Sequence, residues 1–576
     1  MKIGIIGAGP SGMFMLKRLI EHGNSNLEIE FFEKGDTPGE GMPYSKEGAN
    51  VEHITNVSAN EIPELVTSLD EWIQTLDSGT LSRFHIDVKK FHEYKVVPRL
   101  LFGQYLAAQF KLLLRQAADK GIKCKMHYKL AVTDVSDNSS YNLVNIYVGK
   151  EIFSFDRVIM CTGHYWPKKY EGKYPGYFDS PYPPRKLEFN FNGPIAVRGA
   201  SLTAIDTIRT LARQHGSFDM DQNENVCRYK LKPEYAAFKL VTYSKRGLLP
   251  AVRFHLNDSY LGKDLVLDKE EIQEQRDKND GFVPLDYVFD KLFKNLMKER
   301  EPESYEEIKD MRLEDFVTMV MDKRERIDPF NLLKAEYREA EKSIIRKKSI
   351  HWKELLAVLS FAMNNPAKYF SAEDSTRLAK VLMPLISLVI AFIPQNSAEE
   401  MLALHEAGVL SVVDVGDDST VEPIEDGGAT VSYTDENGTE QNDEFRIFVD
   451  SIGQPHLSYE AFPFACLREE GVISPARVRY RSKEKGEEEM KSGNKNVSKD
   501  DKGDYYLRVP GIAINDYFQV VDNYHGVNER IFVMAVPFIG GFNPDYSGLD
   551  FCEAASGQIV KAINLSTPIA TNEEPT

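Results

Sequence analysis

The sequence predicts an α/β chain of two Rossmann-like dinucleotide-binding domains, the first discontinuous and the second inserted into it, with an all-helical insertion besides. Three observations carry this. Residues 3–12 read Ile-Gly-Ile-Ile-Gly-Ala-Gly-Pro-Ser-Gly, an apolar strand running into Gly7-x-Gly9-x-x-Gly12. The same strand–turn–helix plan recurs in degraded form over 194–206, and each copy closes on an acid–apolar–Gly segment, at 156–163 and 448–453. Within the second copy, residues 264–375 are highly charged, and apolar residues recur there at three and four, the period of amphipathic helices.

Each part of the first motif has a mechanical reason. Gly7 permits the tight turn, Gly9 lets a pyrophosphate approach the backbone, and Gly12 lets the helix pack on the strand. Pro10 and Ser11 open a helix whose free N–H groups and dipole favour phosphate. Glu33, 21 residues after Gly12, ends the next strand, where a carboxylate can accept from an adenosine ribose, and Lys34 follows it. The motif alone does not say which dinucleotide. A second glycine-rich loop (38–44, with Gly41), the loop 53–58 with His53 and Asn56, and the stretch 98–106 opening on Pro98-Arg99 are more than a nicotinamide domain needs. They suit a longer cofactor lying extended, which points to FAD.

Together, GAGPSG, GEGMPYS, HITN and PRLLFGQYL resemble the FAD/NAD(P)-binding flavoprotein family that includes a bacterial FAD-dependent urate hydroxylase, and more distantly the ornithine and lysine N-hydroxylating monooxygenases. Residues 243–250 and 393–400 extend the resemblance more loosely. It implies that Arg99 pairs with phosphate or ribityl oxygens of FAD, the alternative being a surface arginine. Asn56 and His53 lie on the loop that passes the flavin, with His53 read as a satisfied loop histidine. Val132, on a strand after the first domain's long helix, either meets adenine through its backbone or is plain core. Thr162 and Gly163 let backbone pass beside the cofactor. Near the C-terminus a strand leads past Gly541 to a helix from Gly548, whose N-terminus the resemblance points at the flavin.

The second copy has Gly199, but Ser201 and Ala204 replace its other glycines, and Thr203 lies between them. A serine side chain narrows the approach to a pyrophosphate. Ser244, Lys245 and Arg246 follow the next strand, where the 2′-phosphate of NADP would lie, or else form a solvated basic turn. The expectation is NAD(P)H, with NADPH favoured over NADH; the alternative is a retained fold whose nicotinamide site has decayed. Gly453 closes this copy.

The chain has 576 residues, and its 70 basic against 88 acidic residues leave a charge of −18, a poor basis for holding nucleic acid or an anionic membrane. Five scattered cysteines lack metal-ligand or Cys-x-x-Cys spacing. With no leader-like or spanning segment visible, a cytoplasmic protein is expected. The domains read as 1–190 and 456–565 for the FAD domain, with 482–504 a mobile loop. The NAD(P)-like domain takes 191–263 and 376–455, the helical insertion 264–375, and 566–576 is a disordered tail. No residue pattern defines a general base, a hydrolase elbow or a metal site, so the hard chemistry falls to the flavin. The expected function is an FAD-dependent oxidoreductase, monooxygenase-like, acting on a small organic substrate with NAD(P)H as donor. The alternatives are a dehydrogenase or oxidase reduced by its own substrate, and a non-enzymatic FAD-binding sensor or scaffold. The insertion could serve as a substrate lid, a self-association surface or a site for a protein partner.

Overall fold

The computed structural model describes residues 1–22, 25–221, 226–256 and 266–565; the tail expected from 566 lies outside them. The chain begins with β1 (Lys2–Ile6), α1 (Pro10–Glu21) and β2 (Glu28–Glu33), then α2 (Arg99–Asp119), β3 (Lys123–Tyr128) and β4 (Arg157–Met160). It then crosses to β5 (Tyr177–Phe178), β6 (Pro194–Arg198), α3 (Leu202–His215), β7 (Lys239–Ser244), α4 (Gln395–Glu406), β8 (Leu410–Asp414) and β9 (Phe448–Asp450). It returns for β10 (Gln519–Val521), β11 (Val527–Val533) and α5 (Gly548–Leu565).

Two open sheets result. The first has the order β10-β11-β4-β1-β2-β3, parallel except for its β10–β11 pair; the second, β8-β7-β6-β9-β5, is parallel throughout. Strands β1 and β4 are nearly all buried, and β11 is buried over Ile531–Val533 where it pairs with β4, as parallel strands covered on both faces must be. Because β11 pairs with β4, more than 350 residues of intervening chain separate neighbours in one sheet, and the first domain is discontinuous. The duplication extends beyond the fingerprints. In each copy a three-stranded antiparallel sheet, over 134–155 and again over 420–445, feeds the closing strand β4 or β9.

Three expected boundaries shift. β5 pairs with β9, so residues 177–178 belong to the second sheet although the sequence places 1–190 in the first domain. The helical insertion runs past 375: helices Ala372–Arg377 and Met383–Val389, joined through a π-helical turn, continue the same apolar core. Its stem closes only where Ala251 N–H donates to Leu388 O (3.0 Å) and Arg253 N–H to Ile393 O (2.8 Å). Residues 482–504 are a helix, Lys483–Lys491, and a strand, Val497–Lys499, rather than a loop. The polar composition there is that of an exposed helix pinned by Gly486, whose missing Cβ leaves room for the Tyr505 ring.

The insertion has its own core, around Phe289, Phe293, Phe316 and Leu359, separate from those of the two sheets. Beneath Trp352, Lys353 is 1% exposed, and its ammonium bonds Glu336, which also takes Arg324 at 2.7 Å. Burial alone would raise the Glu336 pKa; Lys353 and Arg324 overcome it and hold the carboxyl below its ordinary range. Glu336→Ala leaves the buried Arg324 without its carboxylate and Lys353 with only the half-exposed Glu339 at 2.7 Å, and is expected to cost about 3 kcal/mol, read from urea unfolding. The triple replacement of Arg324, Glu336 and Lys353 by apolar residues of similar volume should recover most of that loss.

Candidate functional site

The first fingerprint forms at the carboxyl end of β1. Gly7 has φ +99°, and a Cβ on it would overlap the Cys161 carbonyl; one on Gly12 would overlap the Gly7 carbonyl. Gly9 caps α1 with extended backbone and no side-chain cap, leaving the first-turn N–H groups free of side chains. A Cβ on Gly9 would stand 3.1 Å from the Cα of Gly41, so this glycine also serves the close pass of the second glycine-rich loop. Gly41 has φ +61°, with a Cβ position 2.8 Å from the Pro10 ring. Glu33 turns back to this loop and accepts from Ala8 N–H at 2.8 Å and Gly35 N–H at 2.7 Å. Lys34 beside it is exposed.

Opposite this mouth, the first turn of α5 meets the first turn of α1, with Ser11 Oγ 3.4 Å from Cys552 Sγ. Lys17 reaches Glu553 on the same helix at 3.2 Å. Thr162 and Gly163 follow β4; Gly163 and Gly548 have only open space where a side chain would stand. A cradle lined by two long helix N-termini and bare glycines fits an extended, anionic cofactor. Val132 lies in the loop between β3 and the strand Asp134–Asn138, not on a strand. That loop is tied to the acid, since Leu130 N–H donates to the Glu33 carbonyl at 3.0 Å. Gly541 donates to Pro510 O at 2.9 Å, and a Cβ there would overlap that carbonyl. Its smallness serves the chain's own packing.

Arg99 is not a surface residue but is paired within the chain. Its guanidinium lies 2.7 Å from Asp206 on α3, and its Nε donates to Ile54 O at 3.2 Å. Burial opposes the charge, but Asp206, with Tyr182 and Tyr44, raises the pKa on balance. Tyr182 shares a hydrogen bond with Thr203 and accepts from Arg99. His53 is satisfied on both nitrogens. Nδ1 accepts from Asn50 N–H at 3.2 Å, so Nε2 is the donor to Thr210 Oγ1 at 2.9 Å, and Thr210 donates to Glu52 at 2.8 Å. Asn56 contributes its carbonyl oxygen, which accepts from Arg253. Arg253 also bonds Glu61 and, at 2.8 Å, Ser58 Oγ. The loop 52–61 of the first domain is thus riveted to the second through α3 and Arg253.

The crevice between the two domains is completed by the connecting segments. Gln454 accepts from Tyr165 N–H at 2.7 Å and donates to Tyr165 O at 2.9 Å, and His164 Nδ1 lies 3.2 Å away; Gly453 beside it is exposed. Burial lowers the His164 pKa, which keeps the ring neutral near pH 7. Trp166 stacks obliquely on Tyr182, and its buried indole N–H has no hydrogen-bond partner among the described residues. Near the start of α5, burial with Glu61 and Glu553 raises Asp550 to about 7, and burial raises Asp545 to about 6.

The second mouth is tighter. Gly199 has φ +105°, and its Cβ position lies 2.9 Å from Ser451 O. Ser201 caps α3 without a side-chain cap bond. With Ser244, Lys245 and Arg246 it lines a cavity of about 620 Å³, walled on the other side by the insertion. Ser244, Ser201 and Arg246 therefore line one cavity, and Thr203 is the second residue of α3. Lys245 pairs with Asp417 at 3.0 Å and Arg246 with Glu325 at 2.9 Å. Among the described residues no helix is long and apolar enough to cross a membrane, and no cluster of candidate metal ligands occurs.

Sequence reasoning missed Arg253, Tyr182 and the role of Asp206. Asp206 could have been flagged, since a carboxylate on the apolar face of a helix needs a cation; for Arg253 and Tyr182 no local pattern exists.

Residues 4–165 match a family described as FAD-NAD(P)-binding, and residues 268–390 a family described as YdhS-like middle domain. The second match spans the helical insertion almost as the structure bounds it. The uncharacterised protein YdhS of Escherichia coli (strain K12) is 28% identical over 474 residues, 81% of this chain and 86% of that protein. Among solved structures, the ornithine N-hydroxylase KtzI of Kutzneria sp. 744 is 11% identical with a TM-score of 0.47, covering 98% of each chain. The L-lysine 6-monooxygenase of Pseudomonas syringae is likewise 11% identical with a TM-score of 0.47, covering 98% of this chain and 99% of that one. The chain is α/β with two Rossmann-type sheets, and the first of them is built largely from the residues that match the FAD-NAD(P)-binding family.

Arg99→Ala strands Asp206 in the seam and should lower the urea unfolding midpoint strongly, by about 3–5 kcal/mol in stability. Arg99→Met combined with Asp206→Leu should restore most of it. Asp550 gives a pH test. The folded chain keeps its proton up to about pH 7, while an unfolded aspartate releases it near 4, so rising pH costs stability between those values. Asp550→Asn should match the parent near pH 4 and exceed it increasingly towards pH 7 in apo-protein unfolding.

Proposed function

We propose that the chain is an FAD-dependent oxidoreductase of the monooxygenase type, in which NAD(P)H delivers the electrons and a small organic substrate is hydroxylated. The observation that carries this reading is the pairing of two dinucleotide mouths across one crevice whose sides are held together by buried polar contacts. Bound FAD would supply hydride acceptance and the activation of dioxygen.

The chain's own residues do the rest. Glu33, anchored to the Ala8 and Gly35 amides, presents a carboxylate for the adenosine ribose. The N-termini of α1 and α5 offer uncapped or open approaches for the pyrophosphate and for negative charge on the ring system. The Arg99–Asp206 pair fixes the distance between the domains, and Tyr182 links that pair to Thr203 on α3. His164, held neutral by burial, and the unpartnered Trp166 indole N–H give the crevice one weak base and one donor for a small polar substrate. Helices of the insertion wall the second mouth on one side.

One observation favours the second reading, reduction by the substrate itself: Lys245 and Arg246 are both already paired with carboxylates. Anaerobic mixing separates the two. The purified protein should be yellow, and NADPH or NADH should bleach it; a yellow protein that neither nicotinamide bleaches would overturn the proposal in favour of the second. Urate, L-ornithine and L-lysine, the substrates of the families resembled, are the first to try for substrate-dependent NAD(P)H consumption. Gly9→Val should yield protein with parental circular dichroism and no retained flavin.

A further inference from the structure

The cavity at the second mouth is bounded by two domains of different origin. One wall is Ala200, Ser201, Ser244, Lys245 and Arg246; the other comes from the insertion, with Met321, Ala379, Lys380, Pro384 and Leu388. The lining holds three cations, Lys245, Arg246 and Lys380, against the single carboxylate of Asp417, in a chain whose overall charge is −18. Such a local reversal of sign needs a reason. Apart from the Ser387 hydroxyl, the rest of the insertion's contribution is apolar, a thioether, two aliphatic side chains and a proline ring, a surface suited to a purine base.

The cations are not equivalent. Lys245 and Arg246 spend their charge on Asp417 and Glu325, but these pairs are surface ones, with side chains 32–78% exposed, and such pairs are weak and readily exchanged. Lys380 is exposed to the cavity and forms no ion pair among the described residues. Glu325 closes an insertion helix, Leu313–Glu325, so the Arg246 pair joins the nucleotide domain to the insertion directly.

We propose that this cavity takes the 2′-phosphorylated adenosine half of NADPH, with Lys380 of the insertion as its third phosphate ligand. Adenine lies against the Met321–Pro384–Leu388 wall. The 2′-phosphate draws Arg246 from Glu325 and Lys245 from Asp417, so the insertion sets nucleotide choice. The inference rests on the nicotinamide-using reading above and sharpens it to one cofactor form.

The test is direct binding, by calorimetry on the purified holoprotein, of adenosine 2′,5′-bisphosphate against adenosine 5′-monophosphate. The parent should prefer the bisphosphate by about tenfold or more, the worth of a charge-assisted hydrogen bond. Lys380→Ala, an exposed change that leaves folding intact, should remove most of that preference while leaving monophosphate affinity unchanged. Glu325→Gln, which frees Arg246, should strengthen bisphosphate binding alone. Equal affinities in the parent, or a preference that survives Lys380→Ala, would overturn the assignment and leave the nicotinamide reading in place. If neither nucleotide binds yet NADPH bleaches the flavin, the cavity assignment alone falls; if neither binds and neither nicotinamide bleaches it, both fall.

Discussion

Arg253 and Arg99 hold the two domains in one arrangement. Each carries a buried positive charge across a domain boundary, Arg253 from the second domain to Glu61, Ser58 and the Asn56 carbonyl of the first, Arg99 from the first to Asp206 of the second. A charge taken out of water tolerates few positions, because losing its partner costs far more than the pair gains by forming. Apolar surfaces can slide; paired buried charges cannot. The crevice between the dinucleotide mouths owes its width to this seam, and His53, Thr210 and Glu52 extend it as a directed chain of hydrogen bonds.

The seam also explains why loop 52–61 is ordered although it has almost no regular structure. Its backbone carbonyls and short polar side chains are consumed by partners on α3 and Arg253 rather than by a sheet ladder. The same economy recurs where the insertion meets the C-terminal part: Lys368 pairs with Asp516 at 2.6 Å, and Asn364 takes both Asn543 and the Asp545 amide at 2.9 Å. The insertion is therefore anchored to the split first domain as well as to the second, in which its stem is rooted. A helical unit placed this way forms a wall of the second mouth and lies against the segment that leads into α5.

Much of the scaffold was legible in the residues. Glycines at 7, 9, 12 and 199 are demanded by close backbone approach, which is local and leaves a spacing that can be read. The helix periods of the insertion were readable for the same reason, and its observed helices from Lys269 to Ala362 carry that period. What misled was composition. The polar stretch 482–504 folds because Tyr505 packs over Gly486, a contact no window of sequence displays. Val132 follows the first domain's long helix as a strand residue would, yet its segment is drawn into a loop by the Glu33 carbonyl. Gly541 is demanded by the close pass of the Pro510 carbonyl, an approach between segments 31 positions apart that no local pattern displays.

The sequence by itself determined the two Rossmann-type units, the discontinuity of the first and the helical character of the insertion, since each rests on short-range patterns of glycine, apolar period and strand acid. Only the tertiary structure decided what Arg99, Asp206 and Arg253 do, and that Lys380 shares a cavity with Lys245 and Arg246. Those pairings join residues more than a hundred positions apart. Their energy comes from burial and Coulomb attraction between elements that the chain brings together only when all three cores have formed, and no local pattern encodes them.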